Sequence, residues 1–414
     1  MTKVVWILSH YAQEPSGGGA GGTRHYSLCQ SIRSLGWKPV IVASSVEHGT
    51  GRQRLGDAEK TRLEEIGGVT FLWVKGPSYT TNGLARIRNM LSYFFNVMQG
   101  ETTDTLPRPD VVVGSSFHPL AALAGYFLAK RRKAAFVFEV RDLWPETIIA
   151  MGKISRNGPV AVVMRQWEKY LYKRAQRIIT LLPSAHEYIG SLGIDSSKVR
   201  WLPNGAVITN FNHSADKVRG GPFTFMYFGS HGVANGLAPV IRAFAKVRKE
   251  YPALACRLRM VGSGPEKTAL RELAESLSTG EDISFEPPVP KSAIPALAAE
   301  ADAFVVNLRD LELYRYGISL NKMFEYMAAA RPILFAGNPK NNMVKDALCG
   351  ITVAPDDVDA ISKGMVAMVQ ADPYILRTWG SNGRQYVIEH FDYQKLGHDF
   401  SRILDEAIAN KADA

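Results

Sequence analysis

Cysteine is scarce in this chain of 414 residues, which holds only Cys29, Cys256 and Cys349. An odd number, widely scattered and without metal-ligand spacing, supports neither a disulfide framework nor a zinc site, and reads as a cytosolic protein. Long apolar runs are missing too. No segment approaches the ~18 residues of a spanning helix, so any membrane contact must be peripheral. The opening MTKVVWILSHYAQE has one lysine and an apolar run that breaks at a polar loop, which fits a buried first strand better than a signal peptide. Low-complexity blocks and solenoid periods are absent. With 46% hydrophobic and 21% charged residues the composition is that of a globular chain.

The length suits two domains of roughly 200 residues each better than one enlarged core. Charge divides the chain unevenly. Residues 1–205 hold 26 Lys and Arg against 15 Asp and Glu, whereas residues 206–414 hold 23 against 24, so the net charge of +10 resides in the first half. Ordinary surface charge explains this as well as attraction to an anionic partner does. The chain has no recognised nucleic-acid motif or interleaved aromatic platform, which argues against nucleic acid as that partner.

Both halves begin alike. Val4–Leu8 reads as a strand, followed by the glycine-rich loop SHYAQEPSGGGAGG, a helix from Thr23 to Leu35 and a second strand, PVIVAS. Further strands are expected at VTFLWV, DVVVGSS and AFVFEV. The second half restarts with FTFMYFGS, the loop HGVANGL and a helix through AFAKVRKEY, then ACRLRMVGSG, ISFEPP and ADAFVVNL. Two such α/β units predict parallel sheets in two facing Rossmann-like domains, with a cleft between them. Neither loop spells G-x-G-x-x-G, and the second strand ends without the acidic residue an adenosine ribose would need, which argues against a dinucleotide oxidoreductase.

The most informative stretch is YGISLNKMFEYMAAARPILFAG, residues 316–337. Its middle reads as a helix and RPILF as the strand after it. Gly317, Ser319 and Asn321 fall at the helix start, where unpaired N–H groups and the helix dipole favour phosphate, and Lys322 adds a full charge. Glu325, one turn in, can accept hydrogen bonds from a ribose diol.

This segment resembles the donor site of the retaining glycosyltransferases of family 4, which have the GT-B fold. It is closest to the branch that includes the L-fucosamine-type transferases of bacterial colanic acid and O-antigen synthesis. The resemblance extends through GGTRHYSLCQSIRSLGW, RDLWPETI, WLPNGA, YFGSHGVANGL, VGSGPEKTAL and GRQYVIEHFDY, in that order. Two departures stand out. Many relatives carry a second glutamate where Gly317 stands, and an Arg and a Lys around the loop that is HGVANGL here, so phosphate neutralisation falls more heavily on Lys322.

What the resemblance implies is an acceptor-binding domain over 1–205, a nucleotide-sugar domain over 206–385, and a C-terminal helix over 386–414 packing back toward the first domain. It implies Gly21 and Gly22 in one lobe and Gly229, Gly232 and Gly236 in the other bringing backbone close to a diphosphate, with Ser319, Asn321, Lys322 and Glu325 completing the donor site. His118, in SSFHPL, would lie by the donor sugar and the acceptor hydroxyl as a catalytic group beside Lys322 and Glu325. Arg141 and Asp142 would bind or orient the acceptor, although Asp142 could instead cap the helix that WPETI begins. Glu139 is a further candidate. Asp357 and Asp359 form a D-x-D that reads as helix capping rather than a metal site.

The function expected is metal-independent and cofactor-free transfer of a sugar, with retention, from a nucleotide diphosphate sugar, a UDP-sugar being favoured. The acceptor expected is a lipid-linked saccharide of bacterial surface polysaccharide synthesis. A sugar-nucleotide epimerase or a phosphorylase of similar form is the alternative. In GLARIRNMLSYFFNVMQG, residues 83–100, apolar positions 84, 87, 90, 91, 94, 95 and 98 have helical spacing with Arg86 and Arg88 beside them. Core packing could explain that stripe. With Lys130, Arg131, Arg132 and Lys133 it also suggests docking on an anionic membrane surface, at the inner face of the plasma membrane.

Overall fold

The computed structural model describes residues 2–15, 22–48, 50–79, 83–116, 118–211 and 221–412. In the first half the order is β1 (Lys3–Leu8), α1 (Arg24–Arg33), β2 (Trp37–Ser44), β3 (Thr61–Ile66), β4 (Val69–Val74), α2 (Leu84–Met98) and α3 (Gly100–Asp104). There follow β5 (Val111–Ser115), α4 (Pro119–Arg132), β6 (Ala135–Val140), α5 (Glu146–Ala150), α6 (Pro159–Arg174), β7 (Arg177–Thr180), α7 (Ala185–Ser191) and β8 (Val199–Trp201). The second half runs β9 (Phe223–Phe228), α8 (Ala238–Glu250), β10 (Cys256–Val261), α9 (Lys267–Ser276), β11 (Ile283–Glu286), α10 (Ile294–Ala299) and β12 (Ala303–Asn307). It ends with α11 (Asn321–Ala328), β13 (Ile333–Ala336), α12 (Met343–Asp346), β14 (Gly350–Val353), α13 (Val358–Gln370), α14 (Pro373–Phe391) and α15 (Tyr393–Ala412).

These elements form two compact units, Met1–Asn204 with Tyr393–Ala414, and Gly205–Asp392. The single helix expected over 386–414 is replaced by two. The last part of that range belongs to the first unit as α15, whereas α14 ends at Phe391 within the second.

The first unit holds an eight-stranded sheet in the order β3-β4-β2-β1-β5-β6-β7-β8, parallel except for β3. Its central strands are apolar on both faces because helices cover both. α1 and α15 pack together on one face. α4, packed on β5 and β6, lies between α2 and α6 on the other, as right-handed crossovers toward β7 require. The sequence reading missed β3, whose TRLEEI is polar and half exposed. It is an edge strand folded against β4 through Gly67 and Gly68, both at positive φ as a two-residue hairpin demands.

The second unit has a six-stranded parallel sheet in the order β11-β10-β9-β12-β13-β14. One apolar layer, with Phe244, Leu258 and Met365, covers one face, and another, with Phe304, Phe324 and Met327, covers the other. In each sheet the connections leave in opposite directions from one pair of neighbours, β1 and β5 in the first, β9 and β12 in the second. Ligands of open α/β sheets bind beyond the carboxyl ends of strands at such switch points.

Candidate functional site

In the second unit the switch point brings together the loop after β9 and the head of α11. Lys322 Nζ donates to the Tyr227 hydroxyl at 2.7 Å and to Asn235 Oδ1 at 2.6 Å, and lies over the Tyr227 ring. The Tyr227 hydroxyl spends its proton on the Ser230 carbonyl at 2.7 Å, so it can only accept from Lys322. Asn235 Nδ2 donates to the same carbonyl at 2.8 Å. Part of the lysine stem remains accessible, but its ammonium is enclosed, and burial lowers its pKa to about 7. A solvated surface lysine is therefore excluded. Neither Tyr227 nor Asn235 was singled out from sequence, although Asn235 lies within the loop HGVANGL and Tyr227 just before it.

Glu325 is 7% exposed, in the first turns of α11, and pairs with Lys291. Burial pulls Lys291 down to about 8, an effect the facing carboxylate opposes. Nothing in the sequence marked Lys291, which stands between two prolines, Pro290 and, beyond Ile294, Pro295. At the start of α11 the N-cap residue Leu320 supplies no side-chain cap, Asn321 is exposed and Ser319 half-buried. The segment before it is pinned by Asn341, which bonds both the N–H and the C=O of Ile318. Gly317 has φ +97°, backbone that a glutamate would adopt only under strain.

The glycines of the loop differ in why they are there. Gly236, at φ +50°, has its carbonyl held by Asn307 Nδ2, which a Cβ on Gly236 would crowd at 2.7 Å. Gly229, at φ +148°, sits where a Cβ would approach the Lys322 stem. Gly232 has φ −107° and open surroundings apart from the Ser230 hydroxyl, so folding alone does not require glycine there. His231 is buried with neither ring nitrogen hydrogen-bonded among the described residues, and burial with nearby Lys267 and Lys322 lowers it to about 4.

In the first unit the switch point gathers His10 and Tyr11 after β1, His118 after β5, and Arg141 and Asp142 after β6. His118 is the residue before α4, buried, with its ring 4.5 Å from that of His10 and nearly perpendicular to it. Burial, then Arg86, lowers His118 to about 3, so it is a neutral imidazole at any physiological pH. Arg86 donates to the Tyr11 hydroxyl at 2.9 Å. Gly22 has φ +88°, and a Cβ there would run into the Tyr11 carbonyl, so this glycine is imposed by the loop's own packing. Gly21 lies outside the described residues.

Arg141 and Asp142 are half-buried beside each other. Burial raises Asp142 despite Arg141. The N-cap position of α5 is Pro145, so Asp142 is not that helix's cap. Glu139 is fully enclosed. One carboxylate oxygen takes Arg24 Nε at 2.9 Å, the other meets His25 Nε2 at 2.6 Å, and Arg24 Nη2 donates to the Leu202 carbonyl at 2.7 Å. Desolvation alone would raise Glu139, but His25 and Arg24 outweigh it and hold the carboxyl well below its usual range. This cluster ties α1, β6 and the segment after β8 together. Asp357 caps α13 by accepting from the Ala360 N–H at 2.9 Å, and Asp359 pairs with Lys246.

α2 buries Asn89, Tyr93 and Val97 and leaves Leu84, Ile87, Leu91 and Phe95 exposed. Of the basic run, Arg131 bonds the Met98 carbonyl and Arg132 pairs with Asp104, so both are engaged at the far end of α2. Among the described residues no helix is long and apolar enough to cross a membrane.

Comparison with known proteins agrees with the fold. Residues 19–205 match the glycosyl transferase 4-like domain, and residues 222–371 match glycosyl transferases group 1. A GDP-mannose-dependent alpha-(1-6)-phosphatidylinositol monomannoside mannosyltransferase of Mycolicibacterium smegmatis is 29% identical over 40% of this chain and 43% of its own length. The putative colanic acid biosynthesis glycosyltransferase WcaL of Salmonella typhimurium is 22% identical over 56% of this chain and 57% of its own. The chain thus spans about half the length of these curated relatives. HepE of Anabaena, solved in complex with UDP and glucose, superposes with a TM-score of 0.67 at 13% identity, covering 98% of this chain and 100% of that one. Each half of the chain thus matches a glycosyltransferase domain, and its two parallel-sheet units have the GT-B fold.

Proposed function

We propose that this protein is a retaining hexosyltransferase that moves a sugar from a nucleotide diphosphate sugar to a lipid-linked saccharide at the inner face of the plasma membrane. The observation that carries the reading is the enclosed ammonium of Lys322, set between the loop after β9 and the uncapped head of α11 with Glu325 one turn further on. An approaching diphosphate supplies the anion that this cation and these amides are short of. Glu325 then accepts from the ribose hydroxyls, exchanging part of its contact with Lys291.

In the reaction the bond from the anomeric carbon to the diphosphate oxygen breaks with its electron pair leaving on the diphosphate. Lys322 and the α11 amides stabilise that charge, which is the role a divalent metal would otherwise take. The acceptor hydroxyl oxygen attacks from the face the diphosphate leaves, through an oxocarbenium-like state, and its proton passes to the departing diphosphate oxygen on that same face. Neutral His118 offers a hydrogen bond at the reacting sugar without adding charge, while Arg141 and Asp142 orient the acceptor.

HepE was solved with UDP, while the Mycolicibacterium relative is named as GDP-mannose-dependent; we favour a UDP-sugar. The similarity to WcaL supports a role in surface polysaccharide synthesis. A thermal-shift panel of nucleoside diphosphates tests the reading, since a ligand that binds only the folded state raises its stability. Stabilisation by none of them, in a protein that melts cooperatively, would refute it.

A further inference from the structure

Most of the large apolar side chains left exposed on the first unit lie on or beside one helical layer, the exceptions being Leu63 on β3 and Trp201 on β8. α2, α4 and α6 form one layer, and its two outer helices each present bare hydrocarbon. Leu84 is 84% exposed and Ile87 lies beside it on α2; Val163 is 67% exposed, with Val160 on the same helix and Met151 just after α5. Side chains of this kind are costly to leave in water, and grouped exposure marks a contact surface.

Both groups lie at the carboxyl edge of the sheet, where the candidate site is. The first turn of α2 is placed there by Arg86, which reaches the Tyr11 hydroxyl beyond β1. α5 follows directly on Asp142, and Arg165 of α6 bonds both Glu146 of α5 and the Arg156 carbonyl, bringing the start of α6 to the same edge. His118 opens α4, the helix between them. The exposed cations Arg88 and Lys153 stand beside the two tips, whereas Glu146 is paired with Arg165. Hydrocarbon bordered by cations matches an anionic lipid interface, which accepts apolar groups just below a layer of negative headgroups.

We propose that the first unit rests on an anionic bilayer through these two tips, the start of α2 and the α5–α6 turn, which bracket His118. This rests on the acceptor being held in a lipid, and it assigns the contact differently from a purely electrostatic one. The 130–133 run lies at the opposite end of α4 from His118, a helix of fourteen residues or roughly 21 Å away, and is partly engaged by α2 and α3.

The test is co-sedimentation of the full chain with vesicles of phosphatidylcholine containing phosphatidylglycerol, and of phosphatidylcholine alone, across a salt series. The wild type binds the anionic vesicles and keeps part of that binding at high salt, because inserted hydrocarbon is not screened. Leu84→Glu with Val163→Glu lowers binding by about tenfold or more, since each change removes a buried apolar contact and adds a repelled charge. Neutralising residues 130–133 has a smaller effect. Both substitutions are on the surface, so circular dichroism and the thermal shift given by a nucleoside diphosphate stay as in the wild type. That shift also reports on the donor site independently, so loss of vesicle binding with the shift retained separates this surface from the catalytic reading. Wild-type binding unchanged in the double variant, no binding to anionic vesicles, or a wild-type dimer that the double variant dissociates would each overturn the proposal.

Discussion

Raising the pH from about 6 to about 8 weakens binding of a nucleotide sugar by roughly tenfold, because its main cation titrates in that interval. Burial holds Lys322 near a pKa of about 7 against an ordinary 10.5. The ammonium fraction in the free protein therefore falls from about nine-tenths at pH 6 to half at pH 7 and a tenth at pH 8. A bound diphosphate favours the charged form and raises this pKa in the complex, so the complex holds more protons than the free protein does. Affinity then drops as pH climbs through the free value, by approximately tenfold per unit once well above it. His231 and His118, at about 4 and about 3, stay neutral throughout and add nothing. The diphosphate of an intact nucleotide sugar is esterified at both ends and has no titration of its own here. Calorimetry in two buffers of different ionisation enthalpy reads both quantities, the affinity and an uptake of about 0.9 proton at pH 8. Lys322→Arg, whose guanidinium stays charged, flattens the profile. Affinity that is constant or rises between pH 6 and 8 in the wild type, with no proton uptake, would refute the assignment of Lys322 to the diphosphate.

Other outcomes follow from single contacts. Glu139→Gln leaves Arg24 and His25 short of their buried partner and costs about 3–5 kcal/mol of stability in denaturant unfolding; a loss below measurement would mean the cluster is not holding the fold. Gly22→Ala, forced to positive φ against the Tyr11 carbonyl, destabilises by about 1–3 kcal/mol, whereas Gly232→Ala melts like the wild type and weakens donor binding only. Equal donor affinity in Gly232→Ala would remove that glycine from the site. Glu325→Ala lowers donor affinity in a folded protein, and unchanged titration curves would exclude ribose binding there. Transfer survives EDTA in a product assay; its abolition with rescue by Mg²⁺ or Mn²⁺ would contradict charge neutralisation by Lys322.

Sequence by itself determined the elements whose physics is local or periodic. Parallel strands covered on both faces appear as short apolar runs, so β1, β4, β6 and β12 were legible. The glycine loops and the N-K-M-F-E helix start followed from where backbone N–H groups go unpaired. Exposed β3 was not legible, because a polar edge strand has no apolar pattern to read. The break at Asp392 between α14 and α15 was equally silent, and the expectation that a C-terminal helix packs toward the first domain came from the resemblance, since which core a terminal helix joins depends on distant surfaces. The same holds for the partners of the key charges. Nothing in the chain order brings Lys322 to Tyr227 and Asn235, Lys291 to Glu325, or Arg24 and His25 to Glu139. The α2 stripe shows the division most plainly. Its helical spacing was readable, but the choice of Asn89, Tyr93 and Val97 as the buried face, with Leu84, Ile87, Leu91 and Phe95 left outside, was made only by the neighbouring sheet and α4. Periodicity gives the faces of a helix; tertiary packing decides which of them meets protein and which meets something else.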